Sequence, residues 1–152
     1  MAIGTDDAVD KYGTQDTVTS SSSSVADGVL SVAGDITTWT NDDDATIAAI
    51  IFEGTFSTAP DASSSVHLYA RLMNIQSTND AEAPDVTNFE HKYLGSFPLN
   101  DVTSAQYAPI DIRLPNQKTS QEYDFYIKNG GGQTLSAGWD LYITPKTYGP
   151  HT

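Results

Sequence analysis

Five stretches of the chain alternate apolar and polar residues with a period of two, and none carries an apolar stripe at helical spacing for three turns. Ala48, Ile50, Phe52, Gly54 and Phe56 share one face of an extended run. Val66, Leu68, Ala70 and Leu72 oppose His67, Tyr69, Arg71 and Met73. Ala108, Ile110, Ile112 and Leu114 alternate with Tyr107, Pro109, Asp111 and Arg113. Tyr123, Phe125 and Ile127 alternate with Glu122, Asp124, Tyr126 and Lys128, and Trp139, Leu141 and Ile143 with Asp140, Tyr142 and Thr144. Successive side chains of a strand point to opposite faces, so each run offers one face to a core and one to the outside. Weaker strand signals cover 28–33, 36–40 and 91–97.

Strong turn sequences separate these runs: Asn41-Asp42-Asp43-Asp44, Ala59-Pro60-Asp61, Ser77-Thr78-Asn79-Asp80, Leu114-Pro115-Asn116 and Asn129-Gly130-Gly131-Gly132, the last expected to be a hairpin turn. One helical turn is expected at 101–106, with Asp101 as its N-cap. The pattern predicts an all-β fold: an antiparallel two-sheet sandwich of about seven or eight strands, jelly-roll-like. An immunoglobulin-like sandwich is the alternative, although the Cys…Trp…Cys pattern is missing. Residues 25–152 are expected to form this sandwich. Residues 1–24 read as an extended polar N-terminal arm ending in five serines, with the composition of a disordered tail unless it lies on its own domain or on a neighbouring chain.

Composition narrows the function. At 152 residues the chain suits one domain with one core. With no cysteine it has no disulfide, thiolate metal site or cysteine nucleophile. The net charge of −13 argues against nucleic-acid binding and against anionic membranes. Met1–Asp7 lacks the basic and apolar regions of a secretory signal, and the six-residue run from Ile47 to Phe52 is far too short to span a bilayer. The charge is skewed: eleven acids and Lys11 give −10 in the first seventy residues, leaving −3 for the rest. Such a skew suits a segment that meets something basic or repels copies of itself.

Chemical motifs are sparse. Asn41–Asp44 has oxygen ligands for Ca²⁺ but neither the spacing nor the turn glycine of a calcium loop, and reads as a solvated acidic turn. Asp80, Glu82 and Asp85 read the same way. His67, His91 and His151 have no ligand spacing for zinc. No G-x-S-x-G elbow is present, and nothing selects a pair of carboxylates for glycoside hydrolysis. No catalytic residue, metal or cofactor is therefore expected. The aromatics are more informative. Tyr69, Tyr93, Tyr107, Tyr126 and Tyr142 fall mostly on outward strand faces, where tyrosine serves ordinary sheet surface, protein interfaces or sugar stacking. Trp39 and Trp139 are expected in the core.

Four phrases carry a resemblance: Trp39–Ala45, Leu68–Ile75, Leu114–Ile127 and Leu135–Lys146. They look like segments of small virion structural proteins of tailed bacteriophages, closest in style to β-sandwich capsid decoration (cement) proteins. The resemblance implies a protein made in the host cytoplasm and bound to the exterior of the capsid, without catalytic residues. It would clamp the major capsid protein as a homotrimer, often through an N-terminal arm. On that reading the arm, Asp16 included, and the loop edges at Asp27 and Asp35 meet the shell, while part of the outward tyrosine set lies between subunits. Two other classes compete: a carbohydrate- or receptor-binding module of a phage fibre or surface structure, and a small hydrolase.

Overall fold

The computed structural model describes residues 8–20, 23–32, 35–75, 80–84, 93–115 and 119–150. Among the described residues nine strands run in order: β1 (Ala8–Tyr12), β2 (Asp16–Ser20), β3 (Trp39–Asn41), β4 (Ile47–Gly54), β5 (Ser65–Met73), β6 (Tyr93–Pro98), β7 (Gln106–Arg113), β8 (Gln121–Gly130) and β9 (Asp140–Pro150). They form two antiparallel sheets. The larger has β9, β4 and β7 side by side, with β1 and β2 both on the free edge of β9, and the smaller runs β3-β8-β5-β6. Taken as one broken strand, β1 and β2 make the pairing nested: first with last, second with second-last, and inward to β5 with β6. This is the order of a long hairpin rolled into a sandwich, the jelly roll expected from the alternation.

The alternating residues face inward as their pattern requires. Ala48, Ile50, Phe52, Val66, Leu68, Phe125, Ile127, Leu141 and Ile143 are buried between the sheets. Trp39 joins them, tilted against Tyr123 at 5.8 Å, as does fully buried Trp139. Fully burying one such aliphatic side chain is worth about 1.5–3 kcal/mol.

Residues 8–20 of the polar arm are strands of the larger sheet. Ala8–Tyr12 pairs with the last five residues of β9, and Asp16–Ser20 with its first four. Val18 reaches the core and is 1% exposed. Between β1 and β2 the chain passes Pro145, which has no N–H to give to a ladder. Its carbonyl instead accepts the Gly13 N–H at 2.8 Å. A side chain at Gly13 would start 2.7 Å from the Pro145 ring, which cannot swing aside, so the approach favours glycine.

Four local expectations need correction. Of the strand expected at 28–33, residues 28–32 form none, Leu30 making a single bridge to Lys128, and residue 33 lies outside the described residues. In 36–40 the strand starts only at Trp39, while Ile36 bridges to Thr19 in β2. Residues 101–105 bend without a helical turn. There the Gln106 amide closes the loop, accepting from the Asn100 N–H (2.7 Å) and donating to the carbonyls of Asn100 and Val102. Gly130–Gly132 is not a hairpin turn, because β8 and β9 belong to different sheets and the turn carries the chain across the sandwich. Of the strand expected at 91–97, residues 91 and 92 lie outside the described residues.

Candidate protein-docking face

The outer face of the larger sheet is unusual for a sandwich exterior. A sheet with one solvated face normally alternates apolar and polar, whereas strands covered on both faces read as continuous apolar runs. β4 is of the second kind: Ala48, Ile50 and Phe52 enter the core, and Ile47, Ala49 and Ile51 face outward, Ile47 being 45% exposed. Register extends this stripe sideways, because Ile51 lies between Pro109 of β7 and Tyr142 of β9.

One end of the stripe is anionic. Glu53 sits directly opposite Asp140 and Tyr107. Like charges facing each other across strands repel, and two tyrosines answer that repulsion. The Tyr107 hydroxyl donates to Glu53 Oε1 at 2.8 Å, and the Tyr142 hydroxyl to Glu53 Oε2 at 3.0 Å with Asp140 Oδ2 3.3 Å away. The bond to Glu53 and its charge raise the Tyr107 pKa. Burial, followed by Glu53 and Asp140, pushes Tyr142 up to about 12. The other end is cationic: Arg113, Ile47 and Lys146 lie in one row. Lys146 donates to Asp111 at 2.5 Å, a bond that raises its pKa, and its ammonium lies 5.2 Å from the centre of the Tyr12 ring.

Beyond that row, β9 leaves β4 behind. The β4 pairing ends at Lys146, but β1 continues along β9 to Pro150. The result is a two-stranded ribbon reaching roughly 13 Å further, at about 3.3 Å per residue. Tyr12 and Tyr148 on it are 64% and 76% exposed. Sequence reading missed this ribbon, because β1 and β2 have too few apolar residues to show a core face.

The expected interface residues scatter. Tyr107 and Tyr142 meet at Glu53, but Tyr69 and Tyr126 are not exposed. Both face away from the core and are nevertheless buried, packed under Leu30 and Ile36 of the strap that leads from β2 to β3. Tyr93 is about half exposed, edge-on to Tyr69 at 5.7 Å. Asp27 is exposed and accepts the Gly132 N–H, so it braces a turn. Asp35 is buried within the strap and is not a loop-edge contact. Asp16 accepts the Trp39 indole N–H at 2.9 Å in a notch of about 230 Å³ that also includes Asp42, Asp43 and Thr40. The turn after β3 has structural duties as well. Asn41 exchanges two side-chain bonds with the Ala45 backbone, and Asp44 accepts the Ser120 N–H.

Two further clusters bear on chemistry. The Ser96 hydroxyl lies 2.7 Å from His67 Nδ1 and 2.7 Å from the Tyr93 hydroxyl. A nucleophile and a base are thus within reach, and the charged residue registered against His67 is a cation, Lys128. Burial and then Lys128 lower the His67 pKa. Arg71 lies between Asp124 at 3.7 Å and Asp80 at 3.9 Å, tying β5 and β8 to the following loop. His91, His151 and Asp85 lie outside the described residues.

No family model matches the chain, and no curated protein matches it.

Proposed function

We propose that this chain is a bacteriophage virion structural protein, a capsid decoration (cement) protein that binds the major capsid shell and stabilises the head. The observation that carries the reading is the β1–β9 ribbon with its two exposed tyrosines. An isolated two-stranded ribbon is marginally stable in water, and tyrosine is enriched where proteins meet. A ribbon of this kind gains most when another protein surface covers it. The four phrases that resemble decoration proteins fall on β3, β5, β8 and β9, strands of both sheets. The sugar-stacking alternative has lost Tyr69 and Tyr126 to the strap, which weakens it.

The test is co-sedimentation with expanded shells of the source phage. Wild-type protein is expected to pellet with the shells. Deletion of residues 1–12 and the double variant Tyr12→Ser/Tyr148→Ser are each expected to reduce the bound fraction at least tenfold while leaving a folded sandwich. Unchanged binding by both variants contradicts the assignment of the ribbon, and wild-type protein that stays in solution contradicts the function.

A further inference from the structure

We infer that the outer face of β7-β4-β9 is a two-fold interface between copies of this chain. The inference is separate from shell binding by the ribbon and stands or falls without it. Three observations converge on it. The stripe Ile47, Ala49, Ile51 and Pro109 puts apolar area where a solvated sheet carries polar residues. Charge is segregated along the strands, with Arg113 beside the Lys146–Asp111 ion pair at one end and Glu53 and Asp140 at the other. Asp111, the single charged residue of the three strands on this face that lies inward of those end rows, is neutralised in that pair.

A face with a cationic end, an apolar middle and an anionic end is complementary to itself when turned around. A two-fold axis running across the strands lays β4 on β4 of the second copy in the reverse direction. Ala49 then lies over Ile51 of the second copy, and Ile51 over that copy's Ala49. Arg113 comes over the second copy's Tyr107, which its guanidinium can stack on, beside the carboxylate of that copy's Glu53. The same contact repeats on the other side of the axis. Arg113 makes no ion pair among the described residues, which leaves it available for this one. Sheets pack face to face about 10 Å apart with strands nearly aligned, a geometry this arrangement meets. Three strands about 4.8 Å apart and eight residues long give a projected footprint of roughly 380 Å² per copy. A standard interface takes about 800 Å² per partner, so the pair is weak and forms as concentration rises.

Sedimentation equilibrium from 5 to 500 μM (roughly the range where so small an interface populates) tests this. Wild-type protein is expected to pass from monomer to dimer. Arg113→Glu and Glu53→Lys, each alone, are expected to weaken association at least tenfold, and the two together in one chain to restore it. Near-ultraviolet circular dichroism checks that the single variants stay folded. A wild type that remains monomeric throughout overturns the inference. So does association that ignores either reversal, a double variant no better than the singles, or a trimer as the associated species.

Discussion

Asn129 is fully buried, and its side chain holds three backbone groups at the exit of β8: it donates to the carbonyls of Val25 (2.8 Å) and Gln133 (2.7 Å) and accepts the Gly131 N–H (2.9 Å). Removing it strands all three. Leaving a buried polar group unpaired costs about 1–3 kcal/mol, so Asn129→Ala is expected to lower stability by about 2–4 kcal/mol in urea unfolding. His67 and Tyr142 set the pH limits. Burial depresses the His67 pKa below 6.5, so its contribution is complete above that value and is lost as pH falls through it. The thermal midpoint should drop as pH falls below the ordinary histidine value of about 6.5, and His67→Gln should flatten that limb. Tyr142 has the opposite sign. Raised to about 12, it stabilises the fold below the ordinary tyrosine value near 10 and ceases to do so as pH climbs toward 12. Tyr107, Tyr123 and Tyr126 are raised as well, so ultraviolet titration should show a late-ionising group of tyrosines that loses one member in Tyr142→Phe.

Among the elements, the strap and the broken first strand explain what the sequence made legible and what it hid. Inward faces of β4, β5, β7, β8 and β9 were readable because alternation is a local property set by strand geometry. Tyr69 and Tyr126 were misplaced because their burial depends on Leu30 and Ile36, which cross from a segment with no periodicity of its own. Outward on a strand does not mean exposed when a strap roofs the sheet. The 129–132 turn failed in the same way: its residues specify a reversal, but the sheet that receives the next strand is decided by long-range pairing. β2 was hidden because only Val18 of its five residues is an apolar anchor. The consequence is measurable. Deleting residues 1–12 removes the ribbon strand and leaves Val18 in place, so the melting temperature should fall only slightly. Deleting 1–20 takes Val18 and the partner of β9 as well, and should lower the melting temperature far more or abolish cooperative unfolding. Equal effects of the two deletions would refute the division of labour between β1 and β2.

For the whole molecule, the −13 charge and the jelly roll fit together. Two of the seven cations, Arg113 and Lys146, lie in a single row of one face, while the acids are spread over loops and strands alike. A molecule so acidic avoids indiscriminate contact with other acidic surfaces and concentrates its adhesive features where Tyr12, Tyr148, Ile47 and Tyr107 are exposed. These four lie on the larger sheet, the side from which the ribbon extends. Residues 8–20 of the polar arm pair along β9, and the proposed function assigns docking to the ribbon they help to build. Cryo-electron microscopy of expanded source-phage shells incubated with the protein is the most direct test of that claim. The account predicts sandwich-sized density on the outer surface with the β1–β9 ribbon end turned toward the shell and Tyr12 and Tyr148 in the contact. Bare shells, or bound density with that end pointing into solvent, would contradict it.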